Sequence, residues 1–146
     1  MHAVTLADRD LLAITSDTDP TRAMRVDFPV STADGACASA VVYFELDPGC
    51  RCGVHTDSAE EIVYIASGTV EATIGEERGV LAAGSVGLVP ALVPHDVVNV
   101  GEEVARVIGF FASATVVSVF EDPLMPIGKR VVGTPQPEDD LAPIVA

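Results

Sequence analysis

Four side chains of metal-ligand type, His55, Asp57, Glu61 and His95, carry the chemistry that this sequence could do. The first three fall in the stretch Gly49 to Gly68, GCRCGVHTDSAEEIVYIASG, between a proline-glycine turn and an apolar run. His55 and Asp57 are two residues apart, and alternate side chains of a strand share a face, so both are expected to point the same way. Glu61 follows a break containing Ser and Ala and opens the run Ile62 to Ala66. Glu60 has the opposite parity and is expected to be a solvated charge. His95 comes later, in GSVGLVPALVPHDVVN, after Pro90 and Pro94 and before Asn99. Imidazole and carboxylate on converging strands suit a divalent metal of hard-to-borderline character.

The elements that must position these groups read as strands. Met24 to Val30 alternates apolar and polar residues, and Pro29 demotes it to an edge strand. After a turn at Ser31 to Gly35 comes a long apolar strand, Ala36 to Leu46, ended by Asp47-Pro48-Gly49. Further strands are expected at Ile62 to Ala66, Val70 to Ile74, Gly79 to Ala82, Val86 to Val89, Asp96 to Val100, Ala105 to Ala112 and Thr115 to Phe120. Asp8 to Ile14 suggests a helical turn or two, and Asp122-Pro123-Leu124-Met125-Pro126 breaks the strand pattern. Short strands at regular spacing, with Gly or Pro between them and little helical periodicity, predict an all-β sandwich or barrel. The expected organisation is an N-terminal arm (1–22), one β domain (23–121) and a C-terminal extension (122–146), whose proline-rich, acidic tail TPQPEDDLAPIVA is partly mobile.

Two motifs then stand out. Gly49, His55, Glu61 and Gly68 resemble the first cupin motif: Gly, five residues, His-x-His, three or four residues, Glu, six residues, Gly. Asp57 replaces the second His. Gly84, Pro90, His95 and Asn99 resemble the second motif: Gly, five residues, Pro-x-Gly, two residues, His, three residues, Asn. Leu92 stands where the family prefers Gly. The resemblance implies a single-domain cupin-type β-barrel (a jelly-roll-like double-stranded β-helix) with one divalent metal inside, held by His55, Glu61 and His95. Asp57 is shorter than the imidazole it replaces. It could be a further ligand, orient His55 from outside the ligand set, or line a water-filled mouth. Asp57 or Glu61 could also act as a catalytic base.

Composition narrows the partners. The chain has 146 residues, 49% of them hydrophobic, and a formal net charge of −14. Mean hydropathy is +0.40 and the sequence pI is near 4.2. That suits one domain with a sizeable core, and so acidic a balance excludes nucleic acid and anionic membrane surfaces as expected partners. No apolar run reaches the roughly 18 residues of a membrane span, and no signal peptide is expected in MHAVTLADRDLLAIT. Three cysteines cannot all pair, so free thiols in a reducing cytoplasm are expected. Cys50 and Cys52 read as packing residues, and Arg51 as a rim residue able to reach the cavity mouth. Tyr64, Phe110 and Phe111 read as core or dimer-interface residues, and Asn99 as the holder of a turn or backbone group.

Cupins run many reactions on one barrel, so the fold does not give the reaction. The resemblance implies an enzyme acting on a small organic molecule. Dioxygenase is the first choice, with lyase or isomerase chemistry open and Fe, Mn, Ni or Zn all compatible. The alternative is a non-catalytic metal- or ligand-binding module, which the departure at Asp57 favours. Two carboxylates and two imidazoles would bring a dication to neutral, which disfavours an anionic substrate. A homodimer through the N-terminal strands is expected, because the apolar stretch Ala36 to Phe44 and the edge at Met24 to Val30 should not be left bare.

Overall fold

The computed structural model describes residues 1–137. Twelve strands form two antiparallel sheets facing each other. They are β1 (Leu12–Ile14), β2 (Met24–Val30), β3 (Ala40–Leu46), β4 (His55–Asp57), β5 (Glu61–Ser67), β6 (Thr69–Ile74), β7 (Glu77–Ala82), β8 (Val86–Val89), β9 (His95–Asn99), β10 (Ala105–Phe111), β11 (Val117–Leu124) and β12 (Lys129–Gly133). One sheet runs β1-β2-β3-β10-β5-β8 and the other β12-β11-β4-β9-β6-β7. This is the all-β architecture that the sequence predicts, with two six-stranded sheets. No helix among the described residues is long and apolar enough to cross a membrane.

Period-two patterning drives the closure of the two sheets on each other. In β5, Glu61, Val63 and Ile65 are buried, whereas Ile62, Tyr64 and Ala66 are exposed. In β10, Ala105, Val107, Gly109 and Phe111 face in, and in β3 Ala40, Val42, Phe44 and Leu46 do the same. These meet Val70, Val97, Phe120 and Leu124 of the opposite sheet in one core.

Several elements depart from the sequence expectation, each for a long-range reason. Leu12–Ile14 is a strand, not a helical turn, and the 3-10 turn of this segment lies earlier, at Leu6–Asp8. The strand pairs with β2 (Leu12↔Val26, Ile14↔Met24) and buries Ile14, so sheet burial overrides local propensity. β2 is therefore not an edge strand. Pro29 is accommodated where the β2–β3 register shifts between Asp27 and Val30. β3 begins at Ala40, not Ala36, because Thr32–Asp34 forms a 3-10 turn with a Ser31/Asp34 capping box, ended by Gly35 in the left-handed region.

At the far end, β11 runs through Pro123 to Leu124. Pairing with β4 stops at Phe120 and the β12 register is broken between Val119 and Leu124, so the missing N–H interrupts no ladder. The unforeseen β12 pairs with β11, so the extension expected from residue 122 begins inside a sheet. Thr134 is buried, with its Oγ1 donating to the Ala114 carbonyl at 3.2 Å, and Thr32 Oγ1 donates to the Pro135 carbonyl at 2.8 Å. The rest of the expected mobile tail, residues 138–146, lies outside the described residues.

The resemblance expects Gly at position 92, and the structure gives the reason. Leu92 is the one non-glycine residue with positive φ (64°) among those described, and its backbone N–H donates to the Asp57 carbonyl at 2.8 Å. The left-handed conformation costs a side-chain-bearing residue about 1–2 kcal/mol. That strain is held on the loop directly over Asp57.

Candidate metal centre

β4 and β9 lie side by side with His55 opposite His95, and their ring centroids are 4.1 Å apart. The Nδ1 of His55 is 2.8 Å from the Gly53 carbonyl, and that of His95 is 2.9 Å from the Val93 carbonyl. A carbonyl oxygen can only accept, so each Nδ1 carries a proton, and in the neutral ring each Nε2 keeps its lone pair. The backbone thus sets both tautomers so that a bare nitrogen faces the centre of the cluster.

Asp57 shares the His55 face, as strand parity requires. Its Oδ1 accepts the Ser118 hydroxyl at 2.5 Å, which leaves Oδ2 to face the rings. Oδ2 lies 3.1 Å from His95 Nε2 and 3.7 Å from His55 Nε2. Neither Oδ2 nor His95 Nε2 has an aligned hydrogen-bond partner, although both are fully buried. Buried polar atoms are almost always paired, so two orphans pointing at each other mark a place for something further.

Chemistry agrees. His55, Asp57 and His95 each offer one donor atom, all within 4.8 Å of one another, a set suited to a divalent cation. Glu61 does not belong to that trio. It enters from the opposite sheet on β5, and its Oε1 is 3.8 Å from His95 Nε2.

Burial and charge divide the two acids. Burial pushes the Asp57 carboxyl up, but contact with the His95 ring, the charge of His55 and the Ser118 hydrogen bond outweigh it, so Asp57 titrates below its ordinary value. Glu61 goes the other way: burial, then repulsion from Asp57, pushes it up to about 8. The rings also separate. Burial and the neighbouring His95 lower His55. For His95, burial lowers the pKa, but contact with Asp57 overcomes it and leaves a net rise.

Four residues that sequence reasoning did not single out shape this centre. Ser118 sits opposite Asp57 in the β11–β4 register, a pairing no local signal announces. Phe120 stacks on His55 with centroids 4.4 Å apart. Asp96 fixes the chain ahead of His55, because its Oδ1 accepts from Gly53 N at 2.9 Å, Val97 N at 2.8 Å and the Cys52 thiol at 3.2 Å. Gly109 makes room for Glu61: a Cβ there would lie 2.0 Å from Glu61 Oε2. Its signal was present, since an isolated glycine in an apolar strand often marks a close approach.

Other expectations can be placed too. Asn99 is buried; its Nδ2 donates to the Leu46 and Glu103 carbonyls at 2.8 and 2.7 Å, and its Oδ1 accepts from Gly101 N at 2.9 Å. Cys52 is packed in the core, and Glu60 is exposed. Arg51 does not reach the cavity; it turns to Asp96 (3.7 Å) and Asp19 (3.6 Å) instead. All three thiols are free.

The cluster opens into a cavity of about 80 Å³ between the sheets, lined elsewhere by side chains such as Val42, Phe44, Val63, Ile65, Val97 and Phe111. A family model described as Cupin domain matches residues 42–111. A search of curated proteins gives no match to the chain. Among solved structures, oxalate decarboxylase from Lactobacillus farciminis, in a formate complex, superposes with a TM-score of 0.66 at 18% identity. That match covers 77% of this chain but only 34% of the decarboxylase, so the chain spans about a third of its length. Oxalate oxidase in complex with the substrate analogue glycolate gives 0.64 at 20% identity, covering 71% of this chain and 57% of that one. A conserved protein of unknown function from Streptococcus pyogenes gives 0.53 at 27% identity, covering 62% of this chain and 74% of that one.

Proposed function

We propose, from the premise that the chain belongs to the cupin family through the domain at residues 42–111, that it is a metal-dependent enzyme acting on a small organic molecule inside the barrel. One observation carries this reading: two histidine Nε2 atoms and the unpaired Asp57 Oδ2 converge in a buried pocket. In this reading His55, Asp57 and His95 hold the metal, with Asp57 supplying the carboxylate. When bound, the metal supplies Lewis-acid polarisation or, if it is iron, oxygen activation. The chain's own residues do the rest. Gly53 and Val93 carbonyls hold the imidazoles in one tautomer, Ser118 aims the carboxylate, and the apolar walls exclude water. Glu61 stands on the facing sheet with its Oε1 3.8 Å from His95 Nε2, a carboxyl placed to give or take a proton at the substrate.

Dioxygenation is the first reaction to test, and the position of Glu61 favours proton-transfer chemistry of lyase or isomerase type as the second. The experiment is anaerobic loading with Fe(II), and separately with Mn(II), Ni(II) or Zn(II), followed by a small-molecule screen with and without O2. Turnover that needs both iron and O2 supports dioxygenase; turnover with any of the metals and no O2 supports proton transfer. Stoichiometric metal with no turnover on any compound would leave a non-catalytic binding module. The free thiols suit a reducing, cytoplasmic setting.

We also propose a homodimer, with its interface moved from the N-terminal strands, where β1 covers part of β2. Across the outer face of β10, β5 and β8, Phe110, Ile62 and Leu88 stand in register and are 45%, 45% and 55% exposed. An in-register apolar row of this kind is a candidate contact surface, and a two-fold axis would bury it against itself. Light scattering at micromolar concentration should give twice 15.1 kDa, and Phe110→Lys should give the monomer mass. A monomeric parent would remove the dimer from the account.

A further inference from the structure

The cavity has one polar pole and one apolar pole, and that asymmetry bears on what it can take. His55, Asp57, Glu61, His95 and Ser118 gather at one place; the remaining wall is largely Val, Phe, Ile, Leu and Met side chains. The other two polar groups on the wall are already engaged, since Cys52 donates to Asp96 and Asp96 accepts from two backbone N–H groups. Among the described residues no Lys or Arg lines the cavity. The two nearby arginines are committed elsewhere. Arg22 lies over the Phe120 ring and donates to the Asp122 and Pro123 carbonyls, while Arg51 faces Asp96 and Asp19.

Resting on the metal-site reading above, we propose that the ligand is a compact molecule with a single polar head and an apolar body, and that molecules charged at both ends are rejected. The head meets the histidine–carboxylate cluster and the body fills the space against Val42, Val63, Ile65 and Val97. A second carboxylate at the far end of the ligand would find no donor and no cation there, and an unpaired buried charge is strongly disfavoured. Size acts in the same direction, because about 80 Å³ is well below the roughly 300 Å³ at which sites for drug-sized molecules begin. The selectivity does not depend on the charge at the metal centre, since it arises at the opposite pole.

Three four-carbon probes isolate this feature: butan-2-one, butanoate and succinate. Butanoate and succinate share one carboxylate head and differ in whether the far end is a methyl or a second carboxylate. Methyl-labelled protein, metal-free and loaded with Zn(II), is titrated with each probe while the Val42, Val63, Ile65 and Val97 methyl resonances are followed. Zn(II) uptake is measured separately on the same samples. The expected result is that butan-2-one moves these methyls in both forms. In the Zn(II)-loaded protein, butanoate should bind at least ~100-fold more tightly than succinate. Succinate binding as tightly as butanoate, or no movement of these methyls with any probe, overturns the proposal. The two readings fail separately. Stoichiometric Zn(II) with succinate preferred sinks the ligand class and keeps the metal site. No Zn(II) uptake, with the methyls still shifted by butan-2-one, does the reverse.

Discussion

Replacing Asp57 by Ala is expected to lower affinity for Zn(II) or Mn(II) by well over 100-fold while costing the metal-free protein only modest stability. In the metal-free chain Asp57 Oδ2 has no aligned partner, yet the His95 ring, the charge of His55 and the Ser118 hydroxyl together hold the carboxyl below its ordinary pKa, so the ionised group contributes some stability near neutral pH that the substitution forfeits. With metal present, the same substitution deletes a ligand atom and a charge from a cluster otherwise made of two imidazoles. A group acting from outside the ligand set costs only about 10–100-fold, so Ser118→Ala, which frees the carboxylate without removing it, provides the calibration. Titration calorimetry against the parent should find the larger loss in Asp57→Ala and the smaller one in Ser118→Ala. Equal affinities in all three would make Asp57 a bystander, and a loss of fold in Asp57→Ala would make it structural.

The second large effect is on the pH dependence of stability. Glu61 has its carboxyl raised to about 8 in the fold, by burial first and by Asp57 second, from a reference of 4.5. The native metal-free protein therefore keeps this proton through a range in which the unfolded chain has lost it. Stability from this group is fully present below about pH 4.5 and is lost as pH rises toward 8. A shift of that size corresponds to a few kcal/mol at the upper end of the window. Glu61→Gln, neutral at every pH, should match the parent near pH 5 and exceed it near pH 8, when chelator-treated samples are unfolded in denaturant. Taking the difference between the two proteins cancels first-order contributions from His55, Asp57 and His95. A difference that does not grow with pH would mean that Glu61 is ionised in the fold, and its proposed role in proton transfer would be lost.

How far the sequence led can be judged from particular residues. Alternation placed β2 and β8 at their observed bounds and most other strands to within a few residues, because each buries one face. The motif spacing drew attention to His55, Asp57, Glu61 and His95, and the structure brings three of them into one cluster with Glu61 beside it. Gly49, Gly68 and Gly84 of the motifs all have positive φ, and the same backbone requirement explains why Leu92 is an anomaly.

What stayed hidden was set by partners distant in the chain. Leu12–Ile14 and Lys129–Gly133 have weak local signals and become strands because β2 and β11 offer them ladders. Ser118 is an ordinary strand serine until its pairing partner is known. Asp96 looks like a neighbour of His95, yet it works by holding Gly53. Arg51 has the parity to enter the cavity, but two carboxylates draw it away. The poles of the cavity were equally invisible, since they depend on which strands of the two sheets face one another.

The central claim is that His55, Asp57 and His95 form a divalent-metal site, and metal uptake by the two histidine variants tests it most directly. Parent and His55→Ala/His95→Ala are stripped with chelator, offered Zn(II) or Mn(II) under identical conditions, and assayed by elemental analysis and calorimetry. The account predicts one equivalent of metal in the parent and none above background in the double variant, with circular dichroism showing the same β-rich fold in both. Equal stoichiometry and affinity in the folded double variant would contradict it.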